Sequence, residues 1–516
     1  MSSRDQNVSV QSSSVQRFSR IKDQFKSIGY IRYRYIISAL LGTGGLIFYL
    51  SVASFPRAFR HLHPIGANYN PNYSSECKFL KRVSKVEHVN EKFYSWTRET
   101  HQRLDLASPF GMLVASLPSG VLSDIYGGKY FILVSMIVLS LVDLVTPFML
   151  SGADVDFYIV YFWQFLTGIG RTAIFSGTNS ILANWAPPQE RGRLGSITYC
   201  GLQFAVTFHH GISENVILAT KMWNAPFFIY TPLVLIWSVL FSFFGFSYYR
   251  SKNRWLRQKE RQFLEEHLGK VTTFKPKKKV PWLQLLMSLP LWALVIAHLG
   301  HRWIWDVMMK NLHFYLRYVL YFDFHTGAAL TAIAYMSMGC FTLISGFIAD
   351  YLTNGEYVQL TTLRKVYTTF ASMGPAVFLL AASYTGCARN TAVSFFIAGM
   401  SFMGFYFSGA RINSLELAPN FSGTVMGVLN TFNIVLALAL PKIQDIVAPN
   451  ESILEKRSMY WVHLAILVFT NFMYSIFGSG ELQSWNEDGR EEEEVDVTSI
   501  EPTSSIQRNF NPPVMK

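Results

Sequence analysis

Gly120-Val121-Leu122-Ser123-Asp124 lies between two long apolar stretches in the first half of the chain, and Gly346-Phe347-Ile348-Ala349-Asp350 occupies the same place in the second half. A second pair follows in the same order: Trp185-Ala186-Pro187-Pro188 in the first half and Leu417-Ala418-Pro419 in the second. One such pair arises easily by chance, whereas two ordered pairs at nearly constant separation do not. The sequence therefore predicts an internally duplicated membrane protein, a construction found in many secondary transporters.

The composition is also that of a membrane protein. Of 516 residues, 50% are hydrophobic, 16% aromatic and only 15% charged, whereas soluble domains average about 25% charged residues. Residues 1–35 are polar and basic without an apolar core, so we expect a cytoplasmic segment there rather than a cleaved secretory signal. The net charge of +12 lies largely in the connections between apolar stretches, which explains it without a nucleic-acid partner.

Apolar stretches of about twenty residues, the length that a helix needs to cross a bilayer, recur through both halves. Six lie in the first half, at residues 36–56, 106–124, 130–150, 156–183, 196–218 and 226–248. Six follow in the second half, at residues 288–312, 326–350, 366–386, 391–413, 421–446 and 459–479. The fifth and seventh contain several ionisable residues, so their assignment rests partly on the repeat. We predict an all-α membrane protein with twelve transmembrane helices in two pseudo-symmetric six-helix bundles.

The connections divide the chain into predicted parts with distinct locations. These are a cytoplasmic N-terminal segment (1–35), a first bundle (36–248) with an extracytosolic loop (57–105), a basic linker (249–285), a second bundle (286–480) and a disordered tail (481–516). Because an even number of spans precedes the linker, we expect the linker and both termini to be cytoplasmic. Its run Lys275-Pro276-Lys277-Lys278-Lys279 is either an orientation signal or a contact for membrane lipid, and residues 257–268 have the pattern of a short surface helix.

The loop at residues 57–105 contains two features that depend on its predicted external location. Asn72-Tyr73-Ser74 is an acceptor for N-glycosylation. Cys77 lies in the same loop and Cys387 falls on the same predicted side, so the two are able to pair. Four cysteines are too few for a disulfide framework, and the sequence predicts that Cys200 and Cys340 are ordinary packing residues within helices.

The repeated loop of each half has a mechanical interpretation. Gly120 and Gly346 allow two helices to approach closely, and an aspartate follows each glycine at the predicted cytoplasmic helix end. Asp124 and Asp350 can there pair with a cation or cap the following helix and so hold one conformation. The predicted cationic partners of Asp124 are Lys129, Arg191 and Arg193. The alternative is that these residues only determine topology.

Arg171 is the strongest candidate for a functional residue, because it lies in the middle of the fourth predicted span. A charged residue at the centre of a transmembrane helix costs about 2.5–3.5 kcal/mol on insertion scales, so it faces a wet cavity or a partner. Arginine does not lose its proton, and its burial therefore requires an anion. That anion is either a substrate or gate group, or a fixed carboxylate of the protein.

The seventh predicted span carries a second group of ionisable residues. Arg302 and Asp306 are four residues apart, which places them on one helix face and allows them to pair. His301 beside this pair is a plausible proton carrier, since histidine changes charge near neutral pH; the alternative is a structural histidine. His209 in the fifth span invites the same interpretation.

Three further observations complete the survey of ionisable residues. Glu416, with Arg411 and Asn413, is predicted to form a network at the cytoplasmic end of the tenth span, whereas the direction of Asp143 stays open. The sequence contains no metal-spaced His/Cys set, nucleophile elbow or phosphate-binding glycine loop in a suitable context. We therefore expect no enzyme activity, no metal and no cofactor.

These motifs resemble those of the anion:cation symporters of the major facilitator superfamily (solute carrier family seventeen). That family contains sialin, the vesicular glutamate transporters and the type I sodium–phosphate cotransporters. The residues that carry the resemblance include Asn184-Trp185-Ala186-Pro187-Pro188-Gln189-Glu190-Arg191-Gly192-Arg193-Leu194, Tyr199-Cys200-Gly201, Ser288-Leu289-Pro290-Leu291-Trp292-Ala293, Asp350-Tyr351-Leu352 and Leu415-Glu416-Leu417-Ala418-Pro419. The resemblance spans about residue 36 to Trp485 and implies the major facilitator fold, alternating access, and organic or inorganic anions as substrates.

The chain departs from that family at the positions expected to bind anions. The first-span arginine position holds Ile47, the fourth-span arginine position holds Gln164, and the glutamate seven residues later is Arg171. The seventh-span arginine position holds His301, with Arg302 adjacent. We therefore take Gln164, Arg171, His301 and Arg302 as candidate substrate-binding residues, and the specificities of the relatives do not transfer.

We predict a secondary transporter of small anions that operates by alternating access. Coupling to H⁺ or Na⁺, or drive by the membrane potential alone, are all compatible with the sequence. The alternatives are a non-transporting sensor or scaffold that keeps the fold, and a facilitator of neutral solutes. The expected location is the plasma membrane or a lysosomal or vesicular membrane.

Overall fold

The computed structural model describes residues 32–62, 98–151, 156–269, 279–447 and 453–486, and across these ranges it contains helices and connecting segments without β-strand. The α-helices are α1 (Tyr33–Leu62), α2 (Arg98–Tyr126), α3 (Gly128–Leu150), α4 (Phe157–Trp185), α5 (Arg191–Phe208), α6 (Glu214–Thr220), α7 (Ala225–Phe244), α8 (Gln258–Leu268), α9 (Trp282–Met287), α10 (Leu289–Phe314), α11 (Phe324–Asn354), α12 (Leu360–Ser383), α13 (Arg389–Met403), α14 (Phe405–Ser408), α15 (Ala410–Leu417), α16 (Ser422–Val447) and α17 (Ile453–Phe477).

Every predicted span coincides with a helix or with consecutive helices of this list. Within the described part of the chain, 9 helical segments are long and apolar enough to cross a membrane. The remaining predicted spans, the fourth, fifth and seventh, correspond to α4, to α5 with α6, and to α10. Arg171 in α4, the histidines near the end of α5 and the ionisable residues of α10 lower their mean hydropathy.

The distribution of apolar surface is that of a protein surrounded by lipid. Large apolar side chains on the outer faces of α3 and α7 are exposed, among them Val134, Phe148 and Phe243 at 61%, 66% and 68%. The buried face of α4, in contrast, carries small and polar residues such as Ser176 and Asn179. In a bilayer, moving an apolar side chain from lipid into the protein gives no hydrophobic gain. Helices there associate because small residues allow close packing and polar residues form hydrogen bonds between helices.

The two halves meet along two corresponding helix pairs. Helix α2 of the first half packs on α16 of the second, and α5 of the first half packs on α11 of the second. The internal repeat relates these two contacts, because it matches the second span to the eighth and the fifth span to the eleventh. This arrangement puts the repeated G-x-x-x-D stretches, near the ends of α2 and α11, at the boundary between the halves.

The basic linker contains the predicted short helix, which begins one residue later than expected. Glu260 of α8 accepts hydrogen bonds from the backbone N–H groups of Tyr33 and Arg34, at 2.9 and 3.2 Å, and so caps α1. The Arg34 side chain contacts Glu260 at 3.1 Å and also pairs with Glu190, in the connection between α4 and α5. These contacts fasten the linker to the end of the molecule at which α1 begins, which we call the gate end.

The structure adds detail at one predicted boundary and shows that another, at residue 481, was wrong. The loop assigned to residues 57–105 is partly helical, because α1 continues to Leu62 and α2 begins at Arg98. The tail assigned as disordered from residue 481 begins with ordered structure: Gln483 N–H donates to the Leu417 carbonyl at 2.9 Å, and Trp485 is buried. The Trp485 indole buries apolar surface, and a prediction of disorder from the polar composition of the tail does not take this residue into account. Residues 487–516 lie outside the described part.

Two of the predicted spans are interrupted helices. The fifth passes from α5 through a π-helical turn, His209–Ser213, into α6. The tenth consists of α13, α14 and α15, and Gly409 separates the last two with φ −96° and ψ −115°. That departure from helical ψ turns the following residues to a new face, which decides where Arg411 lies.

Candidate functional site

Arg171 projects from α4 towards α1 and α2 and is partly exposed. Its Nη1 donates to the Ser108 hydroxyl at 3.0 Å and its Nη2 to the Val52 carbonyl at 3.5 Å. Its Nε is buried and has no hydrogen-bond partner among the described residues. Neutral acceptors therefore hold this guanidinium and leave part of its donor capacity unused.

Asp143 of α3 is the carboxylate that interacts electrostatically with Arg171. The structure settles its direction: Asp143 is buried within the first half and accepts a hydrogen bond from the Ser51 hydroxyl. It does not approach the guanidinium within the 4 Å of a salt bridge in the described part of the chain. Gln164 lies two helical turns before Arg171 and is also buried.

The second half contributes a histidine–tyrosine cluster from α10 and α14. The His301 ring stacks on the Tyr406 ring, with centroids 3.4 Å apart and planes inclined by 5°. His298 lies 2.7 Å from the Tyr406 hydroxyl through Nδ1 and 3.4 Å from the Ala410 carbonyl through Nε2. Because a carbonyl only accepts, Nε2 of His298 carries the proton and Nδ1 accepts from Tyr406.

The predicted pair of Arg302 and Asp306 is confirmed, with Nε 3.0 Å from Oδ2. Asp306 also interacts electrostatically with Tyr335 of α11, as does Tyr49 of α1. Tyr49 in turn interacts with Arg171. This series connects the charged centre of the first half to the ion pair of the second.

Arg411 lies elsewhere than the sequence predicted. Its guanidinium carbon is 4.6 Å from the centre of the Tyr199 ring and 5.8 Å from that of the Phe175 ring, both in the first half. It is buried, and its Nε has no hydrogen-bond partner in the part of the chain described here. The sequence predicts a position for Arg411 beside Asn413 and Glu416 at the end of the tenth span. The apolar stretch is continuous there, so the sequence gives no sign of the turn at Gly409.

The predicted network of Arg411, Asn413 and Glu416 was therefore wrong. Glu416 pairs instead with Arg364 of α12, whose Nε lies 3.0 Å from the carboxylate, and both side chains are buried. Asn413 donates to the Tyr474 hydroxyl at 2.8 Å. No sequence spacing links residues 364 and 416, so this pair required the structure.

Asp124 and Asp350 cap helices of the opposite half and not, as predicted, the helix that follows each of them. Asp124 accepts hydrogen bonds from the backbone N–H groups of Gly423 and Thr424 at 2.9 and 2.7 Å, at the start of α16. Asp350 accepts from the backbone N–H groups of Gly192 and Arg193 at 2.8 and 2.9 Å, at the start of α5. A carboxylate is stabilised at a helix N-terminus by the unpaired N–H groups and the helix dipole. The two halves are thereby held together at the gate end.

The predicted cationic partners of Asp124 were wrong. The Lys129 ammonium donates to the Ser242 carbonyl at 2.7 Å and lies over the Phe246 ring. Arg193 pairs with Asp350 at 3.1 Å. Helix capping is the better interaction for Asp124 because it satisfies N–H groups that otherwise have no acceptor inside the interface.

Arg191 and the repeated glycines complete the gate end. Arg191 is buried, donates to the Ala186 carbonyl at 3.2 Å, and interacts electrostatically with the Glu416–Arg364 pair of the other half. A Cβ atom on Gly120 would lie 2.5 Å from the Gly423 carbonyl oxygen, and one on Gly346 would lie 2.6 Å from the Gly192 carbonyl oxygen. Both glycines therefore permit the close approach predicted for them.

His209 belongs to a separate cluster inside the first half. It lies in the π-helical turn and contacts the Ser213 hydroxyl at 3.1 Å through Nδ1. That hydroxyl is 2.7 Å from the hydroxyl of Tyr230 in α7. The structure thus places His209 away from the gate contacts described above, although its neighbour His210 stacks near Tyr335 of the second half.

Two predictions concern residues of the loop assigned to 57–105. Cys387 lies in a disulfide bond, whereas Cys200 and Cys340 are free thiols. The predicted partner Cys77 and the predicted glycosylation site Asn72 lie outside the described residues.

Two helical halves that meet at a polar, arginine-containing centre and close at one end define a multi-pass membrane transporter. The chain belongs to the Major Facilitator Superfamily, which it matches over residues 37–441. Human sialin is 28% identical over 413 residues, 80% of this chain and 82% of sialin. Human vesicular glutamate transporter 2 is 25% identical over 409 residues, 79% of this chain and 69% of that protein.

A solved structure shows the same fold. The proton:xylose symporter XylE, bound to 6-bromo-6-deoxy-D-glucose, matches with a TM-score of 0.63 at 14% identity, over 88% of this chain and 98% of that chain. The predicted all-α major facilitator fold and the resemblance to the anion:cation symporters are confirmed, and the predicted number of twelve spans is consistent with the 9 candidate spans of the described residues.

Proposed function

We propose that the protein transports a small organic or inorganic anion by alternating access, with Arg171 as a direct contact of the anion. The observation that carries this proposal is the state of the Arg171 guanidinium, which is partly exposed, held by neutral acceptors and left with a buried unpaired Nε. The relatives named sialin and vesicular glutamate transporter 2 support an anionic substrate.

Other buried arginines of this chain support the same reasoning. Arg34 and Arg364 are each about 2% exposed, and each pairs with a carboxylate of the protein. Burial of a charge without its counter-charge is costly. Arg171 lacks such a carboxylate pair, and a substrate anion would supply the missing counter-charge.

The proposed site comprises Arg171 with Gln164 in the first half, and His301 with Arg302 in the second. The proposed gate comprises the caps made by Asp124 and Asp350, together with Arg191 and Glu416. Opening of the gate end requires that both caps separate. Asp306, His209 and Lys129 remain proposed coupling or gating residues, and the driving force is a proton, Na⁺ or the membrane potential.

The test is flux in liposomes that contain the purified full-length protein. Radiolabelled sialate, glutamate and phosphate are offered in turn, each with a pH gradient, a Na⁺ gradient or a potassium diffusion potential. We expect concentrative uptake of at least one anion, abolished in Arg171→Gln and retained in Arg389→Gln, a control at the start of α13. Anion binding without flux would indicate a sensor, and flux that ignores substrate charge would indicate a neutral facilitator.

We further propose that the gate end and both termini face the cytoplasm, in a plasma, lysosomal or vesicular membrane. Asn72 then faces the opposite compartment. Removal of N-glycans should increase the electrophoretic mobility of the wild type but not of Asn72→Gln. An unglycosylated Asn72 combined with protease access to the 57–105 loop from the cytoplasm would reverse the topology.

A further inference from the structure

We infer that the central site takes a dianionic solute, with one anionic group bound by Arg171 of the first half and the other by Arg411 of the second. This inference rests on the proposed function and adds a substrate class and a binding residue. It starts from a comparison of the arginines within the helices: Arg171 and Arg411 both lack a carboxylate within salt-bridge distance among the described residues, as does Arg191 at the gate end.

The Arg411 residue is buried, with 6% of its surface exposed. It contacts the faces of Tyr199 and Phe175 and forms a hydrogen-bonding interaction with the Tyr406 hydroxyl. Cation–π contact compensates part of the lost hydration, but it does not satisfy the in-plane N–H donors. The buried Nε of Arg411 is one such donor without an acceptor.

Helix α4 relates the two arginines, because it carries Arg171 and contacts Arg411. Phe175, whose ring lies 5.8 Å from the Arg411 carbon, follows Arg171 by four residues on α4. Residues four apart lie on one helix face, separated by about 6 Å along the axis. Arg411 of the second half therefore contacts α4 one helical turn beyond the position that carries Arg171.

Nearby carboxylates do not remove the need for an anion. Asp143 contacts the Ser51 hydroxyl, and Asp306 pairs with Arg302. Neither forms an ion pair with Arg171 or Arg411 in the described ranges. A solute with two anionic groups would satisfy both arginines and would connect the two halves, which fits a carrier whose halves must close around its cargo.

The inference is tested by equilibrium binding to the purified full-length protein, measured as ligand-dependent thermal stabilisation. The probes are matched by carbon number: succinate against butyrate, glutarate against valerate, and adipate against hexanoate. Because hydrogen bonds to charged groups contribute about 1.5–3 kcal/mol, we expect at least one dicarboxylate to bind more than about tenfold tighter than its monocarboxylate.

Variants then assign the second anionic group to Arg411. In Arg411→Gln the preference for the dicarboxylate should fall to about onefold while monocarboxylate affinity is kept, and Arg411→Lys should retain part of the preference. Arg171→Gln should weaken both probe classes, and Arg389→Gln should weaken neither. If Arg411 only fastened the halves together, its loss would change all ligands by the same factor and leave the ratio intact.

The outcomes separate the inference from the proposed function. Monocarboxylate and dicarboxylate binding of equal strength in the wild type overturns the dianion inference, whichever variants fold, and leaves anion transport standing. An unchanged ratio in Arg411→Gln overturns the assignment to Arg411. Absence of binding and flux for every anion overturns both proposals.

Discussion

Replacement of Asp350 by asparagine should open the gate end. Asp350 is buried and accepts hydrogen bonds from Gly192 N–H, Arg193 N–H and Arg193 Nε, at 2.8, 2.9 and 3.1 Å. Each hydrogen bond to a charged group contributes about 1.5–3 kcal/mol, and the helix dipole adds about 0.3–1 kcal/mol. Asparagine keeps one acceptor oxygen but turns an NH₂ group towards a donor. We expect the closed state to lose about 2–3 kcal/mol, or about 30- to 160-fold in its equilibrium with the open state.

Alkylation of a buried cysteine measures this equilibrium. Ser414 is buried at the interface, where its hydroxyl accepts from Asn179 of the other half at 3.1 Å. A Ser414→Cys thiol should react with N-ethylmaleimide only when the gate opens. In a background that lacks the free thiols of Cys200 and Cys340, its alkylation rate should rise by at least about tenfold in Asp350→Asn.

Asp323 provides a matched control for this experiment. It caps the start of α11 by accepting from the Thr326 N–H at 2.9 Å, but that contact lies within one half. Asp323→Asn should leave the alkylation rate unchanged. Equal rates for Asp350→Asn and the parent, in protein that remains monodisperse, would refute the claim that this cap holds the halves closed.

Three further changes should have measurable effects. Arg171→Gln should abolish anion uptake at an unchanged membrane amount; normal uptake would contradict the role of this guanidinium. Burial alone would raise the pKa of Glu190, but the hydrogen bond and charge of Arg34 outweigh it and hold this pKa below its usual value. A lowered folded-state pKa stabilises the fold at a pH above the ordinary carboxylate pKa. Thermal stability should therefore fall as the pH drops from the ordinary carboxylate pKa towards the lowered pKa of Glu190. Glu190→Gln should lose this pH dependence together with about 3 kcal/mol of stability. Gly346→Ala places a Cβ 2.6 Å from the Gly192 carbonyl oxygen, so it should raise the alkylation rate as Asp350→Asn does; an unchanged rate would mean that the helices separate without cost.

Features with a local period were predictable from the sequence. The spacing of Arg302 and Asp306 is enough to pair them on one helix, and the structure confirms the pair. The repeated G-x-x-x-D stretches identified Gly120 and Gly346 as points where two helices approach closely. Glycine has no side chain, and this is the property that such a close approach requires. In each case the information lies within one or two helical turns.

Features that depend on the register between helices were not predictable. Asp124 binds Gly423, about 300 residues further along the chain, because α2 crosses α16, and no local pattern encodes that crossing. Arg364 and Glu416 pair across two helices for the same reason. The position of Arg411 depended on a single non-helical residue, Gly409, which interrupts an otherwise continuous apolar stretch.

The repeat is preserved at the gate end and lost at the proposed central site. At the gate end, each half contributes one aspartate and receives one cap, so the closing contacts obey the internal symmetry. At the centre, the first half offers Arg171 among neutral acceptors, whereas the second offers Arg411 against aromatic rings beside a histidine–tyrosine stack. A symmetric gate lets both halves move as equivalent rigid bodies. The proposed asymmetric centre would offer a solute two unlike groups, and we expect this difference to select the orientation and the charge of the solute.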